Sequence, residues 1–170
     1  MNFKPMMAFM LIISAILLAV QISPDMNSSE YQEGKYIHID NMVMEFNGYN
    51  ATVELEYHLS PFAEAYIFFF GSKNLKSKMK EIFFEFPEMK IQTIGLNSAT
   101  IQLTNVSWKY DHNYMHNSRK LGLSPDVLTV IFPYNQGTRN IQNPDSTLSV
   151  FYPDSPEYSD IQNNITKKIK

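Results

Sequence analysis

The chain contains no cysteine, 6 glycines and a single tryptophan among 170 residues. The missing cysteine excludes a disulfide scaffold, a thiolate-ligated zinc or iron–sulfur site, a cysteine nucleophile and a lipid-modified leader cysteine. The few glycines stand singly, so neither a phosphate-cradling loop nor a G-x-G-x-x-G turn is present, and no G-x-S-x-G elbow marks a serine nucleophile. Positive charge is not in excess either. The 14 Lys+Arg face 17 Asp+Glu for a net charge of -3. That balance argues against a nucleic-acid partner held by a basic surface. No internal repeat is visible, and the length suits one domain with an appendage.

What is present begins with an apolar run. Met6–Ile22 (MMAFMLIISAILLAVQI) carries no charge and only Ser14 and Gln21 as polar interruptions. At about 1.5 Å per residue it reaches about 25 Å, the short end of a bilayer span. A soluble amphipathic helix would show a polar face, and this run has none. Lys4 precedes it, whereas Asp25 and Glu30 follow it. The expected arrangement is a cytoplasmic tip at residues 1–5 and a signal anchor at residues 6–22 in contact with membrane lipid. A polar stalk at residues 23–34 then leads to a body outside the cell membrane. A cleaved signal peptide, giving a secreted chain, is the alternative. Cleavage after Ala19 would place Leu17 where a small residue is wanted, which favours the anchor. Four sequons, at Asn27, Asn50, Asn105 and Asn164, fit an exported glycoprotein.

The exported body is expected at residues 35–153, with a flexible tail at 154–170. Lys35–Phe46 and Ala51–Leu59 alternate apolar and polar around Asn47-Gly48, the pattern of a β-hairpin with one wet face. Ser60-Pro61 is a helix start, and Phe62–Phe70 reads as a buried helix stopped by Gly71, with a buried strand as the alternative. Leu75, Met79, Ile82 and Phe86 predict a second helix over Lys73–Phe86, with Lys73, Lys76 and Lys80 on another face. Strands follow at Lys90–Ile94 and Thr100–Trp108, the latter with Ile101, Leu103, Val106 and Trp108 inward. A polar loop is expected at Tyr110–Ser124, a central strand at Val127–Phe132, a loop at Asn135–Ser146 and a last strand at Thr147–Tyr152. The order predicts an α+β fold, a mostly antiparallel sheet of about six strands with two helices on one face.

Several strings carry a family resemblance: Gly71-Ser72-Lys73-Asn74-Leu75, His116-Asn117-Ser118-Arg119-Lys120-Leu121-Gly122, Leu128-Thr129-Val130-Ile131-Phe132-Pro133 and Phe151-Tyr152. Together they resemble uncharacterised, membrane-anchored exported proteins of methanogenic archaea. The resemblance implies a location and no catalytic residue.

Three groups invite chemistry. Asp111, His112 and His116 are candidate ligands for a divalent transition metal, because imidazoles four apart share a face when helical. The segment lacks the glutamate of H-E-x-x-H, and exposed loop histidines are the competing reading. His38 and His58 occupy polar positions of neighbouring strands and are expected to meet across the hairpin as surface imidazoles. Lys73, Lys76 and Lys80 form a basic helix surface on a body that is otherwise acidic. They are candidates for anionic headgroups, or else the solvated face of an amphipathic helix. Glu54 and Glu56 share a strand face and read as its wet side, not as a catalytic pair. The expected function is a non-catalytic module that binds an envelope protein or glycan and needs no cofactor. An exported metal-binding domain built on the His112/His116 loop is the alternative.

Overall fold

The computed structural model describes residues 36–134 and 136–159. These belong to one compact unit beginning at Tyr36. The expected membrane span, the stalk, Asn27, Asn164 and the end of the tail lie outside the described residues. Among the described residues no helix is long and apolar enough to cross a membrane.

The fold is mixed α and β, with a six-stranded sheet at its centre. Strand β1 (Ile37–Asn47) and β2 (Asn50–Leu59) form the expected hairpin. Its turn is Gly48-Tyr49, one residue later than the Asn47-Gly48 pair suggests. Gly48 has φ +59° and Tyr49 does not have a positive φ, as in a type II′ turn. Then come α1 (Pro61–Phe70) and α2 (Lys73–Ile82), β3 (Glu88–Ile94), β4 (Ser98–Thr104), β5 (Trp108–Tyr110), β6 (Asn113–His116), β7 (Val127–Ile131), β8 (Thr138–Gln142) and β9 (Val150–Pro153). The large sheet has the order β3-β4-β2-β1-β7-β8, and β5-β6-β9 make a second sheet. All pairings are antiparallel except β1 with β7, which run parallel.

One apolar cluster joins the layers. Ile39, Met42, Met44 and Phe46 of β1 and Val53, Leu55 and Tyr57 of β2 point into it. Leu75, Met79 and Ile82 of α2, Ala63 and Ile67 of α1, and Tyr152 of β9 complete it from above. The opposite edge of each central strand, His38, Glu45, Glu54, Glu56 and His58 among it, faces solvent. Burying one side of each strand explains the strict alternation.

Four expectations need correction. The second helix stops at Ile82, not Phe86. Phe83 caps it through an N–H to the Met79 carbonyl, and Phe83 and Phe86 reach the core from the turn that follows. The Tyr110–Ser124 segment is not all loop, since β5 and β6 form a hairpin that pairs onward with β9. The Asn135–Ser146 segment contains β8, an edge strand held to β7 by backbone pairing that needs no apolar pattern. Trp108 lies exposed, because β4 ends at Thr104, Asn105 takes φ +55° and Trp108 belongs to β5, whose three residues are all exposed.

Candidate functional site

Helix α1 forms because Ser60 caps the Ala63 N–H (3.3 Å), Pro61 occupies the first turn and Gly71, at φ +82°, ends it. The helix is not buried as expected. Only Ala63 and Ile67 face the core. Phe62, Phe68, Phe69 and Phe70 are 73–81% exposed, and Tyr66 is also exposed. Phe62, Tyr66 and Phe69 are spaced i, i+4, i+7, so they make one stripe. The rings touch: Tyr66 and Phe70 centroids lie 4.9 Å apart, Phe68 and Phe69 5.3 Å. A cluster of exposed phenylalanines is uncommon on a soluble surface, and such patches occur at protein, membrane or ligand contacts.

Helix α2 follows α1 directly in the chain. It buries Leu75, Met79 and Ile82, and that turns Lys73, Lys76 and Lys80 outward. Lys78 pairs with Glu81 at 2.6 Å, whereas the other three lysines have no ion-pair partner among the described residues. A cleft of about 500 Å³ separates the helices, lined by Tyr36, Phe62, Tyr66, Ile67, Asn74 and Ser77. Tyr36 also donates to the Asn74 carbonyl at 3.5 Å. Partial burial there raises its hydroxyl pKa. The point where the polypeptide enters the described body therefore lies against the two helices.

A second cluster sits on the solvent face of the large sheet. His38 pairs in register with His58 across the hairpin, and their rings lie 4.8 Å apart. The β1–β2 register slips between Ile39 and Asn41, making Asp40 an extra, bulged residue. The bulge turns both Asp40 and Asn41 outward while Ile39 and Met42 stay buried. Asp126 arrives on the other side, just before β7, its N–H bonded to the Ile39 carbonyl at 2.9 Å. His38 Nε2 stands 3.0 Å from Asp126 and 3.9 Å from Asp40 Oδ1, and His58 Nδ1 stands 2.8 Å from the same Asp40 oxygen.

The structure does not bring Asp111, His112 and His116 together. They lie on the β5–β6 hairpin, where residues four apart are about 13 Å distant along an extended strand instead of stacked on one helical face. His116 is buried, its Nδ1 bonded to the Val106 carbonyl at 2.7 Å and its Nε2 to the Thr147 hydroxyl at 3.2 Å. Burial pushes its pKa down, the Arg119 charge adds to that, and the Val106 carbonyl opposes it. His112 stacks on Tyr158 at 3.9 Å, and Asp111 occupies the turn at φ +54°. Of the described sequon residues, Asn105 is exposed and Asn50 half-buried, with its Oδ1 accepting the Asn105 N–H at 3.2 Å.

No family model, curated protein or solved structure matches the chain. The two clusters therefore stand on their chemistry alone. The His38–His58 pair was legible from alternation on either side of the turn. Asp40 shares parity with His38 and offered a signal, but Asp126 did not: a parallel pairing across some eighty residues leaves no local trace. The aromatic surface was missed for another reason. In a run where almost every position is apolar, periodicity cannot say which side is covered.

Proposed function

We propose that this chain is a single-span membrane protein whose body lies outside the cell membrane and rests on the lipid surface through α1 and α2, serving as a non-catalytic, envelope-associated binding module. The observation that carries this reading is the set of four phenylalanines on α1 left in solvent, together with three exposed lysines on the next helix that have no ion-pair partner among the described residues. An anionic bilayer satisfies both features. Interfacial phenylalanines gain up to about 1.5–3 kcal/mol each on full burial, and each lysine near an anionic surface contributes about 1 kcal/mol. The body's net charge is negative, so a basic face of this kind orients it toward anionic headgroups instead of merely attracting it. Connectivity agrees, because an anchor at residues 6–22 and a short stalk lead to Tyr36, which touches the same two helices. An anchored, outward location is also what the resemblance to exported archaeal proteins implies.

The full chain in nanodiscs tests this reading. With Trp108 replaced by Phe, a Phe69→Trp substitution places the sole tryptophan on the aromatic stripe. Bromine-labelled lipid is expected to quench it in discs containing anionic lipid, and less so after Lys73, Lys76 and Lys80 are changed to Gln. An unquenched tryptophan, or one protected only when a second copy or another protein covers α1, contradicts lipid docking.

A further inference from the structure

We propose that His38, Asp40 and Asp126 bind one divalent first-row transition ion, with zinc the probe that reveals it, and that His58 positions the Asp40 carboxylate. The three ligating atoms lie within 4.8 Å of one another. Nitrogen and oxygen ligands about 2.0–2.2 Å from a tetrahedral zinc stand about 3.4 Å apart, so closure needs only small side-chain rotations. The donor set selects the ion: an imidazole disfavours magnesium and calcium, and carboxylates without thiolate suit zinc, cobalt or manganese. Charge points the same way. Two carboxylates converge here with no Lys or Arg paired to either among the described residues. A dication with two carboxylates and a neutral imidazole forms a neutral complex.

The backbone builds the arrangement from three strands. Cross-strand register sets His58 against His38, the bulge turns Asp40 outward, and the parallel β1–β7 pairing delivers Asp126. Bulges recur beside functional sites because they re-aim one side chain without disturbing the strand's buried face. His58 then plays the outer-ligand role, its ring nitrogen fixing the carboxylate that the ion uses. The site faces solvent, which leaves a coordination position for water or for a ligand from elsewhere. It lies on the sheet face opposite the core and does not depend on the lipid-docking reading.

The test is a zinc titration of the full, untagged chain in detergent micelles, stripped of metal beforehand, with circular dichroism to confirm the fold of each variant. One zinc per chain is expected. His38→Ala and Asp126→Asn should each weaken binding by more than about tenfold, His58→Ala by about tenfold, and His112→Ala not at all. Cobalt should give visible bands with the wild-type chain and lose them with either ligand variant. Uptake of less than about a tenth of a zinc per chain, or unchanged affinity in folded His38→Ala and Asp126→Asn chains, overturns the proposal and leaves ordinary surface ion pairs. Loss of binding with His112→Ala instead would also overturn it.

Discussion

At Gly122 an added Cβ would stand 2.2 Å from the Glu81 carbonyl oxygen and 2.9 Å from its carbon, both backbone atoms at the end of α2. The glycine N–H donates to the Ile82 carbonyl at 2.9 Å, so the two segments are clamped and neither can retreat. Gly122→Ala is expected to cost at least about 1–3 kcal/mol, measured by denaturant unfolding of the folded body. His116 gives a second prediction. Its folded pKa lies below the ordinary 6.5, so the folded chain binds fewer protons than the unfolded one between those values. Stability from this residue is complete above pH 6.5 and is lost as pH falls through the window, at up to about 1.4 kcal/mol per pH unit. His116→Gln should flatten that part of the stability profile; an unchanged slope would mean that the imidazole is not the titrating group. Neither structural role was legible in the sequence. Gly122 stands between Leu121 and Leu123 with no turn signal of its own, and His116 looked like a loop ligand because the Phe46 and Phe86 rings packed on it come from distant segments.

Among the elements, α1 has a buried side, Ala63 and Ile67, and an exposed aromatic side. Ile67 packs into the core, so Ile67→Ala is expected to cost about 2 kcal/mol, the low end for an aliphatic truncation at a residue near the core's rim. Phe69→Glu, on the exposed stripe, should shift stability by no more than about 0.5 kcal/mol. It should nevertheless reduce association with anionic membranes, read from nanodisc quenching or flotation. If Phe69→Glu destabilised the body as much as Ile67→Ala, the stripe would belong to the core and not to a docking face. Elements with strong local rules were legible: the β1–β2 hairpin through its alternation, and α1 through Ser60, Pro61 and Gly71. Strands β5, β6 and β8 were not. They are short and lack apolar alternation; β5 pairs only with β6, while β6 and β8 depend on backbone partners in β9 and β7 that no nearby residue reveals.

For the whole molecule, the α+β class and the mostly antiparallel sheet followed from the order of elements, while β8 at the sheet's edge, the parallel β1–β7 pairing and the second sheet, which takes the expected last strand, did not. The last two features decide what the surfaces present. The parallel pairing gathers His38, Asp40 and Asp126 on the open face, and the small sheet adds Val150 and Tyr152 to the core, while four phenylalanines of α1 stay exposed among the described residues. The central claim is that this body stands outside the cell with α1 against the membrane. The absence of cysteine makes a direct measurement available: single cysteines at Asn140, on exposed β8, and at Phe69, on the aromatic stripe, labelled in intact cells with a membrane-impermeant maleimide. The account predicts rapid labelling of Asn140→Cys and slow labelling of Phe69→Cys that becomes rapid once detergent removes the bilayer. Asn140→Cys that reacts only after lysis, or Phe69→Cys that reacts as fast as Asn140→Cys in intact cells, would contradict it.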